Sequence, residues 1–177
     1  MKFVPYNRRA AVAYAHFWAY DRNPQFYSYD GIGGDCTNFA SQCLYAGTGV
    51  MNFTPTFGWY YKNANDKSPS WTGVSYFYNF LVEKERRIGP FAEETDIFNT
   101  FPGDFVQLEL NGDDTFDHTL IIVERGEVPT LENTLVAAHS QDADYRPLSS
   151  YSFTQIRFLH VLGAWRLPSR LEPALPF

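Results

Sequence analysis

Gly33-Gly34-Asp35-Cys36-Thr37-Asn38-Phe39 is the stretch from which the fold of this chain is read. A glycine turn comes first and an apolar pattern follows. Phe39, Ala40, Cys43 and Leu44 fall at helical offsets from Cys36 and share one face. Cys36 is thereby placed in the first turn of a helix, with Asp35 expected to cap it. Unpaired backbone N–H groups and the positive end of the helix dipole favour thiolate over thiol there. Cys43 lies about 10 Å further along the same helix. That exceeds the roughly 7 Å between Cα atoms that a disulfide spans, so Cys43 is expected to be a core thiol. Two cysteines that cannot pair argue against a disulfide-stapled fold and suit either redox compartment.

Upstream, Ala10, Ala13, Tyr14, Phe17 and Trp18 recur with helical spacing, with Asn7 suited to cap. This helix is expected to stop before Asn23-Pro24. Downstream, Ala46-Gly47-Thr48-Gly49 ends the Cys36 helix. Residues 50–74 show no period and read as a long surface loop. A third helix is expected from Ser75 to about Arg87, with Tyr76, Phe77, Phe80 and Leu81 on one face. The pattern then turns to strands: Asp104–Leu110, His118–Glu124, Thr134–His139, and one long or two shorter strands over Thr154–Leu167. Helices followed by closely connected strands imply an α+β fold, N-terminal helices packed on an antiparallel sheet. One domain is expected over residues 1–177, with an irregular proline-punctuated tail from about 168.

The 177 residues suffice for a real core, with 45% hydrophobic and 19% charged residues. Aromatic residues, at 18%, are abundant. Most are expected in the core. Trp59, Tyr60 and Trp71, together with Tyr61, are candidate walls of a substrate groove, loop packing being the competing reading. A net charge of −6 without a basic stripe excludes nucleic acid as the main partner. No apolar run reaches the roughly 20 residues of a membrane span. The N-terminal residues lack the apolar segment of a signal peptide, so the chain is expected inside the cell or at the envelope after processing. Nothing in the sequence fixes an oligomeric state.

Two histidines give the cysteine a chemical context. His118 begins one predicted strand and His139 ends the next. If those strands are antiparallel neighbours, the two meet at one sheet edge, where the start of the Cys36 helix can reach them. A thiol, an imidazole base and a polar group that orients the base make a cysteine-hydrolase constellation. The Cys36 N–H is suited to an oxyanion. Asp142 is an alternative orienting group to His139. Tyr27 and Tyr29 are candidate second oxyanion donors. His16 and His160 lie away from any motif and are expected to be structural or exposed.

Gly34-Asp35-Cys36-Thr37-Asn38, Pro102-Gly103-Asp104, Asp117-His118-Thr119-Leu120-Ile121-Ile122-Val123 and Ala138-His139, in that order, resemble the bacterial Putative amidase domain family. Arg9–Ala15, Asn38–Leu44, Ser70–Val74 and Arg146–Ser149 extend the resemblance over almost the whole chain. That family is related to papain-like cell-wall hydrolases of the NlpC and CHAP types. The resemblance implies a papain-like fold, no cofactor and hydrolysis of amide bonds, with peptidoglycan stem peptides as the expected substrate. Cys36 would be the nucleophile, His118 the base and His139 the third polar residue. Asp-Cys-Thr-Asn stands where the wider NlpC pattern has Asp-Cys-Ser-Gly, and Asp117 stands where it has glycine. Two other classes compete. One is a zinc-dependent hydrolase with Cys36, His118 and His139 as ligands. The other is a non-catalytic cell-wall binding module that uses an aromatic groove.

Overall fold

Helix α1 (Arg8–Trp18) starts at Asn7, whose side-chain oxygen accepts the Ala10 N–H at 3.1 Å. Its buried stripe is Ala11 and Ala15, continued by Ala19, and not the aromatic face that spacing suggested; Phe17 is 74% exposed. Small side chains at i, i+4 and i+8 let the helix approach its neighbours closely. The computed structural model describes residues 1–85 and 87–168; the rest of the expected tail lies outside the described residues.

Helix α2 (Cys36–Thr48) ends at Gly49, whose left-handed backbone (φ 63°) returns an N–H to the Tyr45 carbonyl. It is buried nearly all round, polar residues included. Each buried polar side chain accordingly has a partner. Thr37 Oγ1 pairs with Thr119 Oγ1 at 2.9 Å, and Gln42 accepts from the Tyr14 hydroxyl at 2.7 Å. Ser41 Oγ donates to the Trp71 carbonyl and accepts from Trp59 Nε1. Asn38 accepts from Trp71 Nε1 at 2.9 Å.

Those contacts correct the loop expected over 50–74. Strands β2 (Tyr61–Asn63) and β3 (Asp66–Lys67) form a hairpin, and α3 (Pro69–Thr72) follows. Trp59 and Trp71 are fully buried with ring centroids 4.8 Å apart, and Tyr60 is buried with its ring against Phe53. The three are core, not groove walls, because both indole N–H groups found acceptors on α2. Helix α4 (Val74–Val82) buries Phe77, Phe80 and Leu81. It stops short of Arg87 because Glu83-Lys84-Glu85 offers no apolar face to bury.

The main sheet is antiparallel throughout its pairings and has seven strands: β1 (Lys2–Pro5), β4 (Gly89–Thr95), β5 (Phe105–Glu109), β6 (His118–Arg125), β7 (Thr134–Ala138), β8 (Ala143–Pro147) and β9 (Gln155–Arg166). The order is β1-β9-β5-β6-β7-β8, with β4 also on β9. The segment expected as one or two strands over Thr154–Leu167 is thus a single long strand, Gln155–Arg166. The sheet is covered on both faces. Phe105, Ile121 and Ala137 pack with Phe39, Leu44 and Trp71 on the helical side, while Leu108, Leu120 and Ile122 pack with Leu148 and Tyr151 on the other. Alternation along β6 therefore sends odd positions toward the helices and even positions away. The architecture is mixed α and β, with few helices on an antiparallel sheet. No helix among the described residues is long and apolar enough to cross a membrane.

Candidate active site

The turn before Cys36 is held by conformations that few residues adopt. Gly33 and Gly34 have φ of 82° and 97°. They face Ser140 and Gln141, two non-glycine residues also at positive φ. Ser140 Oγ accepts the Asp35 N–H at 2.7 Å, and a Cβ on Gly34 would lie 3.2 Å from that oxygen. The two turns are clasped together immediately before α2. Positive φ in non-glycine residues marks stored strain, which concentrates at functional sites.

From there Cys36 points toward the start of β6. Its Sγ lies 3.9 Å from the Asp117 carbonyl oxygen and 3.8 Å from Thr37 Oγ1. His118 is the first residue of β6 and is buried, with its ring making no hydrogen bond to any described residue. Cys36 and His118 line one cavity of about 180 Å³ with Gly34, Asp117, Ser140 and Tyr151. No hydrogen bond joins Sγ to the imidazole among the described residues.

The loop that delivers His118 is folded around Glu109, whose Oε1 accepts the N–H groups of Asn111, Gly112 and Asp113. Asp117 accepts the Leu110 N–H at 2.8 Å. Glu109, Asp113 and Asp117 bring carboxylate oxygens within 4.8 Å of one another, and they are the one such ligand group among the described residues. Cys36, His118 and His139 do not converge in this way, which removes the geometric basis of a zinc site on those three.

Electrostatics correct the expectation of a resting thiolate. Burial pushes the Cys36 thiol up, and hydrogen bonds from Thr119 and Thr37 offset this only in part. Burial, then the nearby Arg146 guanidinium, lowers His118 to about 4, against the pull of Asp117. Near neutral pH the pair is a neutral thiol beside a neutral imidazole. Desolvation outweighs the helix terminus here.

His139 does not meet His118. Ile121 pairs with Ala137 and Ile122 with Val136, so the same register carried on sets His139 opposite Thr119 and Ser140 opposite His118. One residue of offset puts the two histidines on opposite faces of the sheet. His139 lies on the helical face, stacked on Phe39 with centroids 3.9 Å apart. Its Nδ1 is 2.6 Å from Asp35 Oδ2 and its Nε2 is 2.8 Å from the Trp18 carbonyl oxygen. Asp35 does not cap α2 with its side chain; it also accepts from the Tyr29 N–H and from Asn38 Nδ2. Asp142 is engaged by Arg22 through two hydrogen bonds, at 3.0 and 2.8 Å, and does not orient His118. Arg22 also donates to Asp30 at 2.6 Å, pinning the segment before Gly33 to the turn after β7.

Tyr29 does not line the cavity around Cys36. Its hydroxyl is buried without a partner among the described residues, and the Lys67 ammonium lies 5.0 Å from its ring centroid. His16 pairs with Asp144 at 2.8 Å, and His160 with the buried Asp104 at 2.8 Å, both structural arrangements. Sequence reasoning missed Ser140, Arg146 and Tyr151. Arg146 to Ser149 matched the family pattern without a role, which was the available signal for that segment.

The family model described as Putative amidase domain matches residues 5–162. An uncharacterized protein of Bacillus subtilis (strain 168), YhbB, is 30% identical over 166 residues, covering 89% of this chain and 50% of that protein. This chain thus spans about half the length of that relative. No solved structure matches. With the match running from the first strand through most of the last, the chain belongs to the Putative amidase domain family, whose name denotes amide hydrolysis.

Proposed function

We propose that this chain is a cysteine-dependent amide hydrolase with Cys36 as nucleophile and His118 as general base. The observation that carries this is the cavity shared by a helix-start thiol and an imidazole that has no hydrogen-bond partner among the described residues. His118 takes the thiol proton as Sγ attacks the amide carbonyl. The first turn of α2 has N–H groups without intrahelical partners, and that of Cys36 is suited to the developing oxyanion. Collapse of the tetrahedral adduct breaks the C–N bond. His118 gives its proton to the leaving amine, and a thioester remains on Cys36. Water, deprotonated by His118, then releases the carboxylic acid and restores the thiol. A neutral resting pair suits this sequence, because the base must be unprotonated before attack.

A helix-borne cysteine followed by a strand-borne histidine also fits a papain-like reading, of the kind found in NlpC and CHAP hydrolases. Peptidoglycan stem peptides are the proposed substrate. The cavity admits a carbonyl and a small side chain, and the rest of a peptide would lie on the surface. The test is incubation with purified peptidoglycan and with stem-peptide fragments, the products being located by mass spectrometry. Wild type should cut an amide bond, and Cys36→Ala and His118→Ala should each lose at least about a hundredfold in rate. Full activity in Cys36→Ala would overturn the mechanism. A wild type that cuts none of these substrates, yet whose Cys36 reacts with a thiol-directed probe, would overturn the cell-wall assignment alone.

A further inference from the structure

His118 lacks the orienting partner that a general base needs, because His139 is committed to Asp35 and Asp142 to Arg22. One residue beside it has Arg146 as its charged neighbour and a hydroxyl in hydrogen-bond geometry with no described residue. Tyr151 is 9% exposed, lines the same cavity, and has a buried hydroxyl with no hydrogen-bond partner among the described residues. Its ring centroid is 6.0 Å from that of His118, tilted by 53°. A buried polar atom left unsatisfied is uncommon and calls for an explanation. The His118 ring, with no hydrogen bond to any described residue, is the neighbouring group that could use it.

We propose that Tyr151 is the positioning residue of His118: its phenolic oxygen accepts the imidazole N–H that faces away from Cys36 and holds the other ring nitrogen toward the thiol. This rests on the reading of Cys36 and His118 as the reacting pair. Tyr151 is itself well fixed. A 3₁₀ turn at Leu148–Ser150 delivers it, and its N–H returns to the Leu148 carbonyl at 3.1 Å. The Arg146 guanidinium lies over its ring at 3.8 Å and is anchored by Ser150 Oγ at 2.8 Å. Burial raises the phenol, so it stays neutral through the working range. The charged or titratable groups around His118 are then Cys36 from α2, Asp117 next to it, and Arg146 and Tyr151 from β8 and the turn after it. Of these, Tyr151 alone offers a neutral oxygen acceptor on a ring next to the imidazole.

Tyr151→Phe tests this in the full chain. One hydrogen bond between neutral groups is worth about 1 kcal/mol, so the melting temperature should fall by no more than about 4 °C. Nitrogen-15 NMR of the His118 ring should show one dominant tautomer in wild type and a mixture in the variant. The His118 pKa should fall by about one unit as the acceptor is lost. Alkylation of Cys36 at pH 7 should slow about tenfold, since one hydrogen bond to the imidazolium is missing. Unchanged His118 resonances in Tyr151→Phe overturn the proposal, whatever becomes of amide hydrolysis. A lost tautomer preference in a protein that cleaves no amide sustains the role of Tyr151 and overturns the amidase reading instead.

Discussion

Replacing Asp35 by alanine should cost about 4 kcal/mol of stability, more than most single substitutions. The side chain is 1% exposed and accepts three hydrogen bonds, from the Tyr29 N–H, Asn38 Nδ2 and His139 Nδ1. Each lost hydrogen bond is worth about 1 kcal/mol, and a buried donor left without an acceptor adds its desolvation penalty. Removing one partner of a buried pair costs about 3–5 kcal/mol, which sets the scale. In a chain of this length that corresponds to a fall of about 12 °C in melting temperature. Urea unfolding followed by tryptophan fluorescence, with a thermal scan alongside, measures both. Asp35→Asn keeps an acceptor and should lose about half as much. A double-mutant cycle with His139→Ala should return a coupling of about 1–3 kcal/mol. A loss under about 1 kcal/mol in Asp35→Ala, or no coupling to His139, would refute the assignment of these residues to a joint structural role.

Further outcomes follow from the same geometry. His118 binds its proton less readily in the folded than in the unfolded state, so the unfolded chain takes up more protons between about pH 4 and 6.5. Stability should therefore rise by about 3 kcal/mol across that window, be complete above it and be lost as pH falls toward 4; His118→Gln should flatten this part of a pH series of urea unfolding curves. Trp71→Ala should cost about 4 kcal/mol in the same unfolding assay, as expected of a core tryptophan rather than a groove wall. Gly34→Ala, at φ 97° and against Ser140, should destabilise by about 1–3 kcal/mol, measured by thermal melt.

The α+β order, the cysteine at a helix start and four of the later strands were legible because each rests on local periodicity. The helix face of α1 was misread, since alanines carry little hydrophobic signal beside Phe17 and Trp18. Strands β1, β4 and β8 were invisible for a different reason. Segments such as Ala143–Pro147 have no clear alternation and are strands only because a neighbour pairs with them. The burial of Trp59 and Trp71 depends on acceptors supplied by Ser41 and Asn38, which no local pattern announces. At the site, proximity of Cys36 and His118 followed from strand direction. The parting of His118 and His139 did not, because it turns on one residue of register. The raised Cys36 thiol was likewise out of reach, as burial at the end of a sheet is a tertiary property.

The most direct test of the account is the second-order rate of Cys36 alkylation by iodoacetamide at pH 7, mapped by peptide mass spectrometry in wild type and His118→Ala. The fully buried Cys43 is the internal control. If His118 accepts the thiol proton, wild-type Cys36 should outpace Cys43, and its rate should fall about a hundredfold in His118→Ala. Equal Cys36 rates in the two proteins would contradict the assignment of His118 as the base.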